Sequence, residues 1–136
     1  NGTSSDRMLW RGIHLDGQEF DKVIVEKYKT GDKIDLEISS FSQYERVAQY
    51  FSGSGKNPQS ASVVFELEPG AVGLNIEPIS EYITEAERII GGRMEITSVR
   101  KEVARSRNQF SGEMERENRI YVGMKQLAVL GREAKE

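Results

Sequence analysis

The 136-residue sequence contains no cysteine and only one histidine, His14. Without cysteine, disulfide scaffolds, thiolate zinc sites and cysteine nucleophiles are all excluded. A single histidine also excludes metal sites built from several histidines, and we expect His14 to be an ordinary surface or half-buried residue. The sequence has no hydrophobic run of transmembrane length and no visible signal peptide.

The chain has no excess of positive charge, because 19 lysines and arginines face 22 acidic residues and give a net charge of -3. This mildly acidic balance gives no basis for binding nucleic acid or a membrane through bulk charge. The length fits one domain with a modest core. We therefore assign residues 1–136 to a single domain and expect flexible ends at 1–6 and 131–136.

The spacing of apolar residues predicts about seven strands and two helices. The strands are predicted at residues 7–13, 34–38, 61–68, 74–76, 85–90, 94–104 and 118–127, and the first helix at 16–29. Gly91 and Gly92 are predicted to close the fifth of these strands, 85–90, with a turn. Many strands with few helices indicate an α+β fold of two packed, mostly antiparallel β-sheets flanked by a few helices.

The second helix is predicted from a capping box, the S-x-x-E spacing of Ser42 and Glu45. Apolar residues then follow at the spacing of one helix face, which predicts that this face packs on the core. These residues are Tyr44, Val47, Ala48 and Phe51.

Arg11 is a charged residue within the apolar first strand, between Trp10 and Gly12. A buried arginine needs an anionic partner, because removing an unpaired charge from water is costly. Two interpretations stay open, a structural ion pair with a core carboxylate or a site for a phosphate or carboxylate ligand. Gly12 would let such a ligand approach the backbone closely.

Two glutamates, Glu85 and Glu87, stand two residues apart on a predicted strand, so they share one face of it. Neighbouring carboxylates repel each other, which raises the pKa of at least one of them unless a cation lies between them. Such pairs suit acid/base chemistry or the stabilisation of a cationic transition state. A solvated face of an edge strand is the alternative interpretation.

Three short motifs occur in a fixed order along the chain: Trp10-Arg11-Gly12 on the first strand, Ser40-Phe41-Ser42 at a strand end, and Glu85-Ala86-Glu87 at the start of a later strand. Together they resemble the mono-ADP-ribosyltransferase family, in the Arg/Ser-x-Ser/Glu-x-Glu branch that includes bacterial toxins and phage-encoded enzymes modifying arginine. The resemblance covers roughly residues 8–127. Phe41 departs from the family, in which threonine is common at this position. The family usually has a helical segment before the arginine strand, so we expect a piece of a longer protein or a minimal version.

The resemblance implies an enzyme that cleaves NAD, its substrate, releases nicotinamide and needs no metal. Glu87 would stabilise the cationic ribose and hold its 2'-hydroxyl, and Ser40 would hydrogen-bond Glu87. Arg11 would bind a phosphate or the adjacent ribose, and the backbone of Gly12 would bind the nicotinamide amide. Phe51 is a candidate for stacking on the nicotinamide ring.

The resemblance also implies that the acceptor is an arginine of a target protein. Glu85 would pair with the attacking arginine and take its proton, and Tyr82 would pack against the target; family members that modify other residues tend to carry glutamine at the Glu85 position. The source would be a secreted or injected toxin, or a phage-delivered enzyme. Three alternatives stay open: an NAD glycohydrolase, a non-catalytic NAD-binding or interaction module with this fold, and a plain β-rich interaction domain.

Overall fold

The computed structural model describes residues 7–73 and 87–129, which form five strands and a few helical turns. In chain order the elements are β1 (Leu9–Asp16), α1 (Phe20–Lys22) with a π-helical continuation (Val23–Lys27), β2 (Lys33–Ser42), α2 (Glu45–Ser52), β3 (Ser60–Leu67), β4 (Glu87–Arg107) and β5 (Met114–Val129). No helix in these two ranges is long and apolar enough to cross a bilayer.

The five strands close into one barrel in the order β1-β2-β4-β5-β3. Neighbouring strands are antiparallel, except that β3 and β5 run parallel. The α+β class with mostly antiparallel strands is therefore confirmed. The strands form a single closed sheet instead of two separate ones, because β1 pairs with β3 along one edge and contacts β2 through Trp10 and Ser42 on the other.

The core lies inside the barrel, where alternate residues of every strand point inward. The fully buried side chains of this core include Leu9, Phe41, Val63, Ile90, Met94, Ile96, Ile120, Val122 and Met124. A second, smaller cluster lies on the other face of the sheet, where Ala48 of α2 covers Val64 and Tyr121. Trp10 packs against this second cluster. The apolar contact between α2 and the barrel wall is thus small.

The prediction of a turn at Gly91 and Gly92 is wrong, because β4 continues without a break from Glu87 to Arg107. Gly92 has a φ of 122°, which favours glycine, and a Cβ on Gly91 would lie 3.0 Å from the carbonyl oxygen of Leu36. The β2–β4 pairing shifts register at this level. The two glycines therefore accommodate an irregularity in the sheet, and two predicted strands are in fact one.

The predicted first helix is shorter and less regular than residues 16–29 would allow. It begins at Phe20 and becomes π-helical at Val23. The segment buries the side chains of Phe20 and Val23. The β-branched run from Val23 to Val25 explains the irregular geometry, because such side chains lose rotamer freedom against the preceding turn of an α-helix.

The capping box that was predicted for α2 is also wrong in its geometry. Ser42 Oγ accepts a hydrogen bond from the N–H of Tyr44 at 3.0 Å, one residue before the helix begins. Glu45 turns away and accepts a hydrogen bond from a tyrosine hydroxyl of β5. Of the predicted apolar face only Ala48 is buried, whereas Phe51 is 64% exposed. The apolar face of α2 is therefore only partly covered by the barrel.

Candidate functional site

A cleft of about 520 Å³ lies between β1, the end of β2 and α2. β1 pairs with β3 from Leu9 to Asp16, but it pairs with β2 only through Trp10 and Ser42. The cleft occupies the side of β1 that lacks a continuous ladder. Its volume falls within the range of small-molecule binding sites. In the described part of the chain, no three histidine, aspartate or glutamate side chains are placed to hold a metal ion.

Four of the residues that the sequence singled out line this cleft together: Arg11, Gly12, Ser40 and Phe51. They come from β1, β2 and the last turn of α2. The backbone of Glu87 lies at the same place, because Glu87 pairs with Ser42 across β2 and β4. The side chain of Glu87 and the whole of Tyr82 and Glu85 fall outside the described residues.

Arg11 is half-buried and alternates onto the strand face of Leu9 and Ile13, both of which pack against the barrel core. Its Nη1 donates a hydrogen bond to the carbonyl oxygen of Ser40 at 3.1 Å. Burial lowers the pKa of the Arg11 guanidinium. None of the carboxylates whose side chains are described in residues 7–73 and 88–129 forms an ion pair with it. A core carboxylate is therefore not the partner of Arg11 in this part of the chain, and its remaining donors are compatible with a ligand in the cleft.

The serine motif alternates between the cleft and the core. Ser40 and Ser42 both line the cleft, whereas the side chain of Phe41 is fully buried in the barrel. The phenylalanine at the middle position is thus explained by packing. Ser42 also has a structural role, because its Oγ accepts a hydrogen bond from the N–H of Tyr44 just before α2.

The close packing of α2 explains why position 12 is a glycine, which the sequence alone did not show. A Cβ at this position would lie 1.7 Å from the carbonyl oxygen of Ala48 and 2.8 Å from the nitrogen of Ser52. The close backbone approach that was expected of a ligand is made here by α2. The predicted contact between the Gly12 backbone and a nicotinamide amide stays a prediction.

The C-terminal end of α2, which carries Phe51, is held by two side chains to which no sequence pattern assigned this role. His14 Nδ1 donates to the carbonyl oxygen of Ser52 at 3.0 Å. Arg119 Nε donates to Ser52 Oγ at 3.1 Å, and its Nη2 donates to the carbonyl oxygen of Gly53 at 3.0 Å. Such side chains satisfy the last carbonyls of a helix. No local sequence pattern connects these residues, which are far apart in the chain.

A buried tyrosine ties the middle of α2 to β5. Tyr121 is 2% exposed; its hydroxyl donates to Glu45 Oε2 at 2.6 Å and accepts from Gln49 Nε2 at 2.8 Å. Burial and the hydrogen bond to the Glu45 carboxylate raise the pKa of Tyr121 to about 12. The guanidinium of Arg100 lies 4.6 Å from the centre of its ring. The helix that forms one wall of the cleft is therefore anchored at its centre and at its end.

Solved structures share this architecture. Two structures of the ADP-ribosyltransferase Vis, one in complex with M6 inhibitor and one with agmatine, match with TM-scores of 0.56 and 0.54 and identities of 21% and 19%, over 96% and 92% of this chain. The enzymatic component C2-I of the C2-toxin from Clostridium botulinum matches with a TM-score of 0.53 and 18% identity over 91% of this chain. The chain has an ADP-ribosyltransferase fold.

The ADP-ribosyltransferase fold is the one that the three sequence motifs implied. The chain spans about half the length of the two Vis structures, 52% and 51%, and 32% of the C2-I structure. No protein-family model and no curated protein matches the sequence. At these identities the likeness establishes the fold, while the activity has to be argued from the cleft.

Proposed function

We propose that the chain is a mono-ADP-ribosyltransferase that cleaves NAD and transfers ADP-ribose to an arginine of a target protein. The observation that carries this proposal is the cleft in which Arg11, Ser40 and Phe51 meet beside the first residue of β4, Glu87. These are residues of the three motifs and the helix after the serine motif, and they meet in an ADP-ribosyltransferase fold.

Arg11 and Phe51 are suited to hold the two ends of NAD. The planar guanidinium of Arg11 can donate two parallel hydrogen bonds to a phosphate, and its half-buried position weakens competition from water. Phe51 is 64% exposed although it lines the cleft, so its ring is available to stack on nicotinamide. The backbone at Gly12, which lines the same cleft, would bind the nicotinamide amide.

Glu87 is assigned the main chemical role. When the bond between nicotinamide and the ribose C1' breaks, the electron pair leaves with nicotinamide and positive charge develops on the ribose. A fixed carboxylate beside that charge stabilises the transition state electrostatically. Strand register supports the assignment, because Glu87 pairs with Ser42, a cleft residue, and Ser40 pairs with Ile89. Ser40 would keep the Glu87 carboxylate in place by a hydrogen bond.

An arginine acceptor is proposed from the glutamate motif. The attacking guanidinium has a pKa above about 12, so it must lose a proton as the new bond from its nitrogen to C1' forms. Glu85 would accept that proton, and Tyr82 would contact the target. The complex of Vis with agmatine, a guanidinium compound, supports this choice of acceptor. Because C2-I is part of a toxin, we also propose that this chain acts as a secreted or injected toxin, or as a phage-delivered enzyme.

The test is an incubation with NAD and agmatine, followed by mass spectrometry for ADP-ribosyl-agmatine and by an assay of free nicotinamide. We expect Glu87→Gln to reduce both transfer and NAD hydrolysis by about a hundredfold to a thousandfold. Glu85→Gln should abolish transfer to agmatine and spare much of the hydrolysis. Glu26→Gln, which changes an exposed carboxylate away from the cleft, is the matched control and should leave both rates unchanged.

Each other outcome identifies a different function. Release of nicotinamide without any ADP-ribosyl-agmatine would identify an NAD glycohydrolase. Binding can be followed separately, because Trp10 is the single tryptophan of the sequence and lines the cleft. A change in its fluorescence with NAD but no turnover would indicate a non-catalytic NAD-binding module. No change at millimolar NAD would contradict the proposal and favour an interaction domain.

A further inference from the structure

β4 and β5 extend past the barrel as a two-stranded arm, which we call the hairpin arm and define as residues 101–118. The pairing of β4 with β2 ends at Glu95, and the pairing of β5 with β3 begins at Ile120. Between these limits and the tip, the two strands pair with each other. The arm lies at the far end of β4 from Glu87, so it is separate from the cleft.

One face of the arm is basic. Directly opposite residues of an antiparallel pair share a face, and Arg105 is opposite Arg116 while Arg107 is opposite Met114. Val103 and Lys101 alternate onto the same face. We call this set the basic face; it consists of Lys101, Val103, Arg105, Arg107, Met114 and Arg116, all of them exposed.

The charges on this face are not balanced inside the described part of the chain. No carboxylate there forms an ion pair with any of the four cations. On the opposite face of the arm, the three carboxylates of the strands are paired: Glu115 with Lys56 at 3.1 Å, Glu117 with Arg119 at 3.5 Å and Glu102 with Arg100 at 3.3 Å. Among the described residues, the carboxylates of one face are therefore in ion pairs, whereas the cations of the basic face are not.

Two arginines opposite each other destabilise a hairpin, because like charges repel across the strands. A two-stranded hairpin has little stability to spare, since it lacks a third strand to pack against. The pair Arg105 and Arg116 is therefore unfavourable in the isolated chain. An external anion bound between the two guanidinium groups would replace this repulsion by two attractive contacts.

Exposed apolar side chains accompany the arginines. Val103 is 46% exposed, Met114 is 54% exposed, and Phe110 at the tip is fully exposed. Asn108 fixes the tip, because its side-chain oxygen accepts the N–H groups of Phe110 and Ser111 at 2.8 and 3.0 Å. Arginine, methionine and aromatic residues are the types that are enriched in protein–protein interfaces.

We propose that the basic face and Phe110 form a docking surface for an acidic patch on a partner protein. A long polyanion fits less well, because DNA or an anionic bilayer would extend beyond the basic face over the rest of a chain with a net charge of -3. If the proposed transferase activity holds, the partner is the protein to be modified, but docking itself does not depend on that activity.

The substitution Arg105→Glu tests the proposal through two effects of opposite sign. It places a carboxylate opposite Arg116, so the arm and the chain should become more stable to heat. The same change should weaken the binding of a labelled peptide of aspartate, glutamate and leucine by about tenfold at physiological salt, as measured by fluorescence anisotropy. Lys29→Glu is the control, with an equal change in charge at an exposed position off the arm. Phe110→Ser, which leaves the charge unchanged, should also weaken binding of the peptide.

A DNA duplex and phosphatidylserine vesicles serve as competing probes. If either binds the wild-type chain more tightly than the peptide does, and Arg105→Glu removes that binding, the surface recognises phosphate and the protein-docking proposal is overturned. Equal binding of the peptide to the wild-type chain and to Arg105→Glu also overturns it. The assay contains no NAD, so its failure leaves the transferase proposal untouched. Transfer to agmatine by the same variant should equal the wild-type rate.

Discussion

The two edges of β1 have different roles. One edge pairs with β3 from Leu9 to Asp16, and the neighbouring residues of β3 are buried without interruption from Ser60 to Phe65. The other edge contacts β2 through Trp10 and Ser42 alone, and the cleft lies along it. A continuous ladder satisfies the backbone and fixes the shape of the barrel. The interrupted edge leaves room for a ligand, so the candidate site lies where the sheet is least complete.

The charges beside the two edges follow the same division. Next to the paired edge, Glu66 accepts hydrogen bonds from both terminal nitrogens of Arg100 and from Trp10 Nε1. Next to the open edge, Arg11 donates to a carbonyl oxygen and has no carboxylate partner in the described part of the chain. A charge whose partners are already present supports the fold, whereas one without them is available for binding.

Gly12→Ala tests the geometry of the open edge and has the largest expected effect. The added methyl group would meet the backbone of α2, 1.7 Å from the carbonyl oxygen of Ala48, and backbone cannot move aside as a flexible side chain can. We expect the free energy of unfolding to fall by about 3 kcal/mol in urea denaturation. Gly17→Ala adds the same methyl group in open space at a φ of 75° and should cost about 1 kcal/mol. Equal losses for the two variants would mean that α2 does not rest on Gly12.

Arg11→Ala addresses the charge at the open edge. Because Arg11 has no carboxylate partner in the described ranges, its loss should remove binding of a phosphate or ribose and lower kcat/KM for NAD by about a hundredfold. Arg11→Lys should restore part of this, since it keeps the charge without the planar fork. Arg100→Ala removes the matched arginine of the paired edge; it should lower stability by about 1 kcal/mol and leave kcat/KM near the wild-type value. A loss of stability without a loss of kcat/KM in Arg11→Ala, and the opposite in Arg100→Ala, would contradict the different roles of the two edges.

Local patterns in the sequence singled out some of the residues that line the candidate site and missed others for physical reasons. Arg11 and Ser40 could be predicted because an arginine in an apolar strand and a serine at a strand end are visible over a few residues. Phe51 followed the spacing of a buried helix face, yet it lies in the cleft because α2 contacts the barrel mainly through Ala48. The anchoring of α2 by Arg119 depends on a contact between distant segments, which no local pattern contains.

The fold class could be predicted more fully than the number of strands. Alternation showed where strands run, but glycine signals turns and bulges alike, so Gly91 and Gly92 divided β4 into two predicted strands. The predicted strands 94–104 and 118–127 were also shorter than β4 and β5, which both extend into the charged residues 105–117. Charged residues alternate there on both faces of a hairpin, and only the tip from Asn108 to Glu113 separates β4 from β5.

Phe51→Ala separates a ligand contact from a core contact in the wall of the cleft. Its ring is 64% exposed, so its removal should change the free energy of unfolding by less than about 0.5 kcal/mol. The loss of a stacking surface should raise the KM for NAD by about tenfold with a smaller change in kcat. Phe110→Ala removes an even more exposed aromatic ring far from the cleft and should leave KM unchanged. A loss of stability of several kcal/mol in Phe51→Ala would show that the residue belongs to the core.

Ser62→Ala probes the paired edge and has the smallest expected effect. Ser62 lies opposite His14 in the β1–β3 ladder and is 1% exposed, and its Oγ has no hydrogen-bond partner among the described residues. Replacing this hydroxyl by alanine removes a polar group that is buried without compensation, so stability should rise by about 0.5–1 kcal/mol. Ser52→Ala is the contrasting variant, because the fully buried Ser52 hydroxyl donates to the carbonyl oxygen of Gln49 at 2.7 Å and accepts from Arg119.

The same substitution at two buried serines should thus have opposite signs, with Ser52→Ala lowering the free energy of unfolding by about 1 kcal/mol. The reason is that the β1–β3 ladder around Ser62 is held by backbone hydrogen bonds and apolar packing, whereas the end of α2 beside the cleft is held by polar side chains. A loss of stability in Ser62→Ala would reveal a polar requirement within the ladder. The distinction between the middle of the ladder, which is held without polar side chains, and the end of α2, which is held by them, would then fail.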